Sequence, residues 1–385
     1  MPSYRVLDQP ALIELADLRG WLESVPSQAV TDLLPPVAVS DASRVVRRLP
    51  VVELAHQGSA WIRLPEATVH GRNFSLIVED CIFPGGLTHS FAPSPRWQAA
   101  DGGRVSYQPH TGGRPAVDGA ALLGLVGHWG HFFVDALDRL LAMESSGAQP
   151  SALLVGDPDL FGLAPQVDEC FAVPQVSGLI RALGLTWPPA APLLAVPKEG
   201  DMAVTGLRLA TLRALKPSIS ASSFLEVRRR LGIPDQRILP QDGEWVFVGR
   251  GDVRKRLVRN QDAMIAHLQS AHDVHTVFPE FLSIGESITC FRQASRVILP
   301  VGSAKFNLLF CRPGTQVVCV NPRGYSELNG GVTLMVRHMC HALGLHLHFY
   351  DVAVEPSRML LNSNLIFTLE DAEALVRIFD TMEAG

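Results

Sequence analysis

Residues 244–322 alternate between short, β-branched apolar runs and longer amphipathic segments, and this alternation constrains the fold more than any other feature. In chain order the runs and segments predict a βαβαβαβ unit. Such a unit folds as a parallel sheet covered on both faces, the arrangement of a nucleotide-binding half-domain. The strand-like runs are EWVFVGR, VHTVFPE, RVILPV and TQVVCVNP, and the helix-like segments are NQDAMIAHLQSAH, SIGESITCFRQAS and AKFNLLFCR.

The remainder of the chain divides by composition. Residues 1–120 consist mostly of short extended pieces broken by Pro and Gly turns, which predicts a β-rich N-terminal part. Over residues 121–235 helical patterns alternate with β-rich runs such as SALLVG, which predicts an α/β remainder of the same domain. A linker-like segment, IPDQRILPQDGE, then leads to a second domain at 243–350. Residues 351–385 are expected to form a C-terminal tail with a terminal helix.

Composition limits the classes of protein to which this chain can belong. Its 385 residues, 47% hydrophobic and 18% charged, suffice for two globular domains. The net charge of -5 argues against nucleic-acid binding, so an anionic ligand has to bind at a local group of cations. The first residues lack a signal-peptide pattern, and no stretch approaches about 20 uninterrupted apolar residues. We therefore expect a soluble, cytoplasmic protein without a transmembrane segment.

The cysteines and the C-terminal histidines do not form a metal-binding motif. The 6 cysteines lack CxxC spacing, which argues against a zinc ribbon or a disulfide framework and predicts small core residues. His346 and His348 share one face of a strand-like run, whereas His338 and His341 belong to the preceding helix-like segment. Because no carboxylate has a matching spacing, we predict a polar strand face and no metal site.

Cationic residues follow the first strand of the 244–322 unit. Arg250 lies at the carboxyl end of that strand, where ligands of such sheets bind, and a guanidinium can hold a diphosphate bidentately. Gly249 and Gly251 allow a ligand to approach the backbone closely. The alternative is a basic hairpin on the surface, which is the favoured interpretation for the cations that follow, namely Arg254, Lys255, Arg256 and Arg259.

A second group of anion-seeking residues follows the third strand. Gly302 and Ser303 lie where a strand leads into a helix, so free backbone N–H groups and the positive end of the helix dipole are expected there. Lys305 adds a formal charge. The alternative makes Ser303 an N-cap and Lys305 a solvated residue.

Together, the groups after the first and third strands predict a nucleotide diphosphate as ligand. Neither GxxxxGK[ST] nor GxGxxG is present, which disfavours an ATPase and a dinucleotide dehydrogenase. Glu286, on the helix between these strands, could accept hydrogen bonds from ribose hydroxyls. The alternative for Glu286 is an ordinary carboxylate on a helix surface.

The stretch HWGHFFVDALDRLL, which begins at His128, combines histidines and aspartates with apolar residues. At about 100° per residue it predicts one amphipathic helix, with one polar side made of His128, His131, Asp135, Asp138 and Arg139 and one apolar side made of Phe133, Leu137, Leu140 and Leu141. His131 and Asp135 are four residues apart, so the imidazole can approach the carboxylate, a pairing that favours the charged form of each. The alternative is a solvated helix face.

These motifs resemble glycosyltransferase family 61. Three blocks carry the resemblance in the order of the family, over roughly residues 125–320, whereas the first hundred residues match only loosely. The first block has Asp138 where the family has a proline, and the second has Gly249 where the family usually has a serine. The blocks are GHWGHFFVDALDRLL, VFVGRGDVRKRLVRNQD and SIGESITCFRQASRVILPVGSAKFNLLFCRPGTQVV.

The resemblance implies a GT-B fold, in which two Rossmann-like domains face each other across a cleft. The C-terminal domain of that fold binds the donor nucleotide and the N-terminal domain binds the acceptor. It also implies an inverting reaction without a metal or other cofactor. Taken together, the motifs and the resemblance predict which residues bind the two substrates. The predicted donor-binding residues are Arg250, Gly251, Arg256, Glu286, Gly302, Ser303, Lys305 and Asn307, and the predicted acceptor-binding residues are His128, Trp129, Asp138 and Arg139.

An inverting transfer needs a base that takes the proton of the acceptor hydroxyl. The helix predicted from His128 to Leu141 supplies this base on its polar side. Asp135 is the predicted base, and His131 is its partner or the group that orients the acceptor. The opposite assignment stays open, because a His-Asp pair can share the role.

One departure from the family concerns the segment before the last helix. Family members typically have His-Gly-Ala there, whereas this chain has Val301, Gly302 and Ser303. We hypothesise that Lys305, where the family usually has an apolar residue, compensates for the missing imidazole at the donor diphosphate.

The sequence thus predicts a glycosyltransferase that moves a hexosyl or pentosyl group from a nucleotide diphosphate to a glycan or lipid-linked acceptor, in the synthesis of a polysaccharide such as a capsule. Two alternatives stay open. One is a non-catalytic protein that binds sugar nucleotides or glycans, and the other is a transferase acting on a small metabolite or a protein. The sugar, the base, the linkage and any homo-oligomeric state are not determined by the sequence.

Overall fold

The computed structural model of the chain describes eighteen stretches of sequence. No described helix is both long enough and apolar enough to cross a membrane. The described residues are 3–7, 9–23, 30–43, 45–56, 60–70, 75–83, 97–100, 104–108, 116–124, 129–156, 173–185, 191–197, 200–210, 221–234, 244–251, 257–328, 331–355 and 363–383.

The strands are short, apart from a few of seven to ten residues. In chain order they are β1 (Ser3–Val6), β2 (Val30–Leu34), β3 (Val37–Asp41), β4 (Arg47–Leu49), β5 (Val52–His56), β6 (Trp61–His70), β7 (Leu76–Val78), β8 (Cys81–Phe83), β9 (Trp97–Ala100), β10 (Arg104–Tyr107), β11 (Ala116–Asp118), β12 (Ala121–Gly124), β13 (Leu153–Gly156), β14 (Leu193–Val196), β15 (Asp201–Ala210), β16 (Glu244–Val248), β17 (Val258–Arg259), β18 (Val274–Val277), β19 (Ala294–Pro300), β20 (Gln316–Pro322), β21 (His346–Glu355) and β22 (Asn364–Ile366).

The helices lie mostly between these strands. The α-helices are α1 (Gln9–Leu18), α2 (Trp129–His131), α3 (Leu137–Ser146), α4 (Pro174–Ala182), α5 (Ala221–Arg230), α6 (Gln261–Ala271), α7 (Ile284–Gln293), α8 (Gly331–Ala342) and α9 (Leu369–Glu383). A π-helix, Phe132–Ala136, joins α2 to α3, and 3-10 helices span Pro279–Phe281, Ser303–Phe310 and Ser326–Leu328.

The chain forms two compact units, both of the mixed α/β class. Unit 1 comprises residues 1–31 and 55–219, and unit 2 comprises residues 32–54 and 220–385. Each unit is built around one mixed sheet. The α/β class expected from the sequence is therefore confirmed.

Unit 1 contains an eleven-stranded sheet in its described part, ordered β14-β13-β12-β15-β6-β7-β8-β1-β10-β9, with β11 also paired to β15. The strands β14, β13, β12 and β15 run parallel to one another. Antiparallel pairing begins where β15 meets β6. The segment of α2, the π-helix and α3 follows β12, so the parallel portion of the sheet positions that segment.

The N-terminal β-rich region also contains a helix that the sequence analysis missed. Residues 9–18 form α1, although the sequence analysis interpreted this region as extended pieces. Leu12 and Ala16, four residues apart on one face, are fully buried in the core of unit 1. Helical spacing of apolar residues within QPALIELADL is the signal that predicts this helix.

Unit 2 contains the predicted βαβαβαβ unit. Its sheet runs β17-β22-β21-β20-β19-β16-β18, and the strands β18, β16, β19, β20 and β21 are parallel. Each predicted strand of residues 244–322 is confirmed, as are the helices α6 and α7. The strands are buried almost throughout, as expected for a sheet covered on both faces.

Unit 2 extends beyond residues 243–350. β3 pairs in parallel with β21, and β4 pairs with β3, so the segment 32–54 adds strands to this sheet. β21 continues to Glu355, and α9 packs on the same sheet through buried residues such as Leu375 and Phe379. The sheet therefore draws on two separate parts of the chain, 32–54 and the region after residue 220.

Candidate active site

Arg250 connects the carboxyl ends of two neighbouring parallel strands of unit 2. It lies just after β16, and its Nη2 donates a hydrogen bond of 2.9 Å to the carbonyl oxygen of Val301, just after β19. Gln261, at the start of α6, holds the backbone of Arg250 from both sides. Its Oε1 accepts from the Arg250 N–H at 2.7 Å, and its Nε2 donates to the Arg250 carbonyl at 3.2 Å. The structure thus brings together Arg250 and the segment that begins at Val301.

The glycines beside Arg250 accommodate protein side chains. A Cβ atom on Gly249 would lie 2.5 Å from the ring of Phe278. A Cβ atom on Gly251 would lie 2.7 Å from Glu280 Oε1, which already accepts a hydrogen bond of 2.7 Å from the Gly251 N–H. Neighbouring side chains therefore already require a glycine at both positions. The close approach of a ligand to this backbone, expected from the sequence, stays a prediction.

The segment after β19 differs from the predicted α-helix. Residues Ser303–Phe310 form a 3-10 helix with Gly302 as the N-cap, and residues 305–310 are all buried. A segment buried on every side belongs to the core. The predicted α-helix at Ser303 is therefore corrected to a 3-10 helix, whereas the anion site at its N-terminus stays a prediction.

Lys305 is buried, with an exposed fraction of 5%. Its Nζ donates to the carbonyl oxygen of Gly302 at 3.3 Å and lies 4.4 Å from the centre of the Phe306 ring. The interpretation of Lys305 as a solvated residue is therefore wrong. Asn307 is also buried, and its Nδ2 donates to the Ala304 carbonyl at 3.0 Å. Both side chains stabilise the 3-10 helix itself.

Glu286 belongs to a capping box at the start of α7. Its Oε2 accepts a hydrogen bond of 2.7 Å from the Ser283 N–H, and its own N–H donates to Ser283 Oγ at 3.2 Å. Hydrogen bonding with Ser283 lowers the pKa of the Glu286 carboxyl. The carboxylate is exposed, and its described hydrogen bonds cap the N-terminus of α7.

Polar residues not selected from the sequence lie near the carboxyl end of β20 and at the paired position in the middle of β21. Asn321 and Asp351 are paired in register on β20 and β21, and both are buried. Asn321 Nδ2 donates to Ser326 Oγ at 2.8 Å, and Ser326 donates to Asp351. Burial raises the pKa of Asp351, although hydrogen bonds from Ser326 and Gly324 oppose that shift. Asn321 near the end of a predicted strand was a sequence signal, whereas its pairing with Asp351 follows only from the strand register.

The His/Asp segment of unit 1 is not one continuous α-helix. Between α2 and α3 the chain forms the π-helix Phe132–Ala136. Because a π-helix contains more residues per turn, the 100° spacing used to assign faces does not hold across it. Phe132 and Phe133 are both fully buried, which a single apolar stripe did not predict. Such π-helical turns occur frequently at functional sites.

Arg139 is buried and serves the core of unit 1. Its exposed fraction is 1%, and its Nη1 donates a hydrogen bond of 3.0 Å to the carbonyl oxygen of Leu123 at the end of β12. Its Nε donates to the carbonyl of Ala210 at 3.5 Å. The placement of Arg139 on the wet side of the helix is therefore wrong. The guanidinium joins α3 to the ends of two strands.

The other predicted residues of this segment are partly accessible. His131, Trp129 and Asp138 are half-buried. The Trp129 ring packs edge-to-face on Phe133, with ring centres 4.7 Å apart. Asp135 lies in the π-helix, and only its backbone is described. His128 and Arg256 lie outside the described residues.

The C-terminal histidines have separate partners. His338 Nε2 lies 3.0 Å from Asp32 Oδ2, and His348 Nε2 lies 2.8 Å from Ser40 Oγ. In the described ranges no three His, Cys, Asp or Glu side chains form a group that could hold a metal ion. The described cysteines are free and mostly buried, as predicted for core residues.

In open α/β sheets ligands bind beyond the carboxyl ends of the strands, which is where Arg250 lies in unit 2. Residues 129–318, about half of the chain, match the family model described as Glycosyltransferase 61. The chain belongs to glycosyltransferase family 61, as the sequence motifs predicted, and this membership supports glycosyltransferase activity. No curated protein matches the chain.

Proposed function

We propose that this protein is an inverting, metal-independent glycosyltransferase with a GT-B arrangement of its two units. It transfers a sugar from a nucleotide diphosphate to a hydroxyl group of a glycan or lipid-linked acceptor. The single observation that supports donor binding by unit 2 is the hydrogen bond from Arg250 to Val301, because it holds a guanidinium at the carboxyl edge of the sheet.

The donor diphosphate binds at this edge of unit 2. A guanidinium has five N–H donors in a planar fork, of which Nη2 contacts Val301. Because Gln261 fixes the backbone of Arg250, the side chain is presented from a rigid strand end. Lys305 is buried beside Gly302, so its charge adds to the positive potential of the edge.

The reaction breaks the bond between the anomeric carbon and the diphosphate oxygen. The acceptor oxygen attacks that carbon from the opposite side and loses its proton to the base. The leaving diphosphate gains negative charge, which Arg250 and Lys305 stabilise electrostatically. In this proposal Asp135 is the base and His131 orients or assists it, with Trp129 and Asp138 contacting the acceptor.

The turn that carries Asp135 supports its assignment. The π-helix Phe132–Ala136 is anchored on the apolar side by fully buried Phe132, Phe133 and Ala136. The backbone of such an anchored turn is fixed on the core, and a general base requires a fixed attachment point. Arg139, bonded to Leu123 and Ala210, fixes the following helix to the sheet.

We expect Asp135→Asn to abolish sugar transfer while leaving nucleotide affinity near that of the wild type. The substitution removes the proton acceptor on unit 1 and does not alter the donor residues of unit 2. The measurement is turnover with a panel of nucleotide sugars, together with nucleotide affinity by calorimetry. Asp273→Asn, an exposed carboxylate between α6 and β18, is the matched control and is expected to keep both.

Donor hydrolysis separates this function from that of a non-catalytic binding protein. A transferase slowly hydrolyses its donor when no acceptor is present, whereas a binding protein only shows affinity. Retained turnover in Asp135→Asn would show that another residue is the general base. Nucleotide-sugar binding without any hydrolysis in the wild type would contradict the transferase assignment.

A further inference from the structure

Unit 1 has a groove that the predicted donor and acceptor residues do not use. It lies on the solvent face of the large sheet, has a volume of about 540 Å³, and is lined by β1, β6, β11 and β15 together with residues at and after β7. This volume is in the range of small-molecule sites. The residues that define its chemistry are Tyr4, Glu66, Thr68, Asp118, Ala203 and Thr205.

The floor of the groove consists of cross-strand rows of small or hydroxyl-bearing residues. In the first row Ala116 lies opposite Ala203, which lies opposite Thr68. In the second row Asp118 lies opposite Thr205, which lies opposite Glu66. The alanines leave room above the sheet, and the second row supplies hydrogen-bonding groups along one side.

A change of face in the long β6–β15 pair shapes this surface. Before Gly206 the residues of β15 in the hydrophobic core are Met202 and Val204, and after it they are Leu207 and Leu209. Gly206 has a φ of 58°, which a residue with a side chain rarely adopts. A glycine kink of this kind curves a sheet. Thr205 therefore points to solvent immediately before the kink.

The polar groups of the groove are arranged as hydrogen-bond acceptors. Thr205 Oγ1 donates to Asp118 Oδ1 at 2.6 Å, so this carboxylate is held in place. Glu66 is exposed and forms no hydrogen bond or ion pair with any described residue. Glu79, also on the groove, is paired with Arg19 at 2.9 Å. The lining itself includes three carboxylates and no cationic residue. Arg19 is paired with Glu79, and the Arg63 guanidinium lies near Asp118 beside Gly206. Glu66 is therefore the carboxylate that gives the groove its excess negative charge.

Tyr4 supplies an aromatic wall. Its ring packs edge-to-face against Tyr107, with ring centres 6.4 Å apart. Tyr107 is buried and donates its hydroxyl to the buried carboxylate of Asp201. The Tyr4 ring is therefore supported from the core, as a preformed binding surface requires.

We propose that this groove binds a segment of an uncharged oligosaccharide. Sugar hydroxyls donate to carboxylates, the apolar face of a pyranose ring packs on an aromatic ring, and a floor of alanines accommodates a flat ring. The excess of carboxylates disfavours anionic glycans such as uronic acid chains, because like charges repel at short distance. The identification of the bound chain as the acceptor rests on the proposed function, whereas binding itself does not.

The test measures saccharide affinity by calorimetry on the full chain without nucleotide. The probes are neutral trisaccharides of α-linked glucose, β-linked glucose and N-acetylglucosamine, with trigalacturonate as the anionic comparison. We expect at least one neutral trisaccharide to bind, and trigalacturonate to bind about tenfold more weakly or not at all.

Two variants locate the binding site. Ala203→Leu fills the floor and is expected to lower affinity about tenfold or more, while Glu66→Gln removes a surface acceptor without filling the groove and is expected to lower it several-fold. Glu14→Gln, an exposed carboxylate on α1 outside the groove, is the matched control with unchanged affinity. Circular dichroism and thermal unfolding check that each variant is folded.

Three results would overturn the proposal: no neutral trisaccharide binds, Glu66→Gln and folded Ala203→Leu both keep full affinity, or trigalacturonate binds best. Donor hydrolysis is measured in parallel on the wild type. Loss of the proposed function alone would appear as saccharide binding without hydrolysis. Failure of the groove alone would appear as hydrolysis with no effect of the groove variants on saccharide binding.

Discussion

Several neighbours fix Arg250 at the carboxyl end of β16, where the proposed function requires a cation. Gln261 holds its backbone on both sides, and Val301 accepts from its guanidinium. Phe278 fills the space beside Gly249, so the serine usual in the family at this position would collide with the ring. The departure at Gly249 therefore has a local steric explanation.

At the same scale, His348 makes stability depend on pH. Burial lowers its pKa to about 4, below the ordinary value of 6.5. The unfolded chain therefore takes up a proton first as the pH falls. His348 weakens the folded state progressively between pH 6.5 and about 4, by up to about 3 kcal/mol, and has no effect above that window.

We expect His348→Gln to remove this part of the acid sensitivity. The measurement is the free energy of unfolding as a function of pH for both proteins, because other groups also titrate below pH 5. The difference between the two curves is expected to change mainly between pH 6.5 and 4. A constant difference across that window would show that His348 is not the responsible group.

At the scale of elements, the capping box of α7 gives Glu286 a defined structural role. We expect Glu286→Ala to lower the free energy of unfolding by about 1 kcal/mol, and Glu286→Gln to retain most of it because an amide can replace the carboxylate in this motif. Chemical denaturation measures both. Equal loss in the two variants would contradict the capping explanation.

The same pair of variants tests the proposed ribose contact of Glu286. The ribose hydroxyls would be bound by the carboxylate oxygen that Ser283 does not use. In that case Glu286→Gln loses nucleotide affinity while its stability stays near that of the wild type. Unchanged affinity would limit Glu286 to its role in the helix.

Strong periodicity made the elements of unit 2 predictable from sequence. EWVFV and QVVCV are apolar throughout, and a buried parallel strand requires that. The segment 132–136 was not predictable in the same way, because helical phase is computed for an α-helix and the π-helix changes it. Arg139, and Lys305 in one of its two interpretations, were assigned to solvent because charged side chains are rarely buried, yet backbone carbonyls supply their partners.

At the scale of the whole molecule, several features depend on contacts between distant segments and were not predictable from the sequence. Residues 32–54 carry no signal that they join a sheet formed mainly by residues beyond 240, since the pairing of β3 with β21 spans about 300 residues. The predicted end of the second domain at residue 350 falls inside β21. The polar pair of Asn321 and Asp351 also depended on strand register, which becomes known only when the sheet is assembled.

The account depends on Arg250 binding the donor diphosphate at the carboxyl edge of unit 2. The most direct test is the affinity of the preferred nucleoside diphosphate for the wild type and for Arg250→Ala, measured by calorimetry, with Arg377→Ala on the surface of α9 as control. Loss of charge-assisted hydrogen bonds predicts a decrease of about tenfold to a hundredfold in Arg250→Ala and no change in the control. Equal affinity in all three folded proteins would contradict the account.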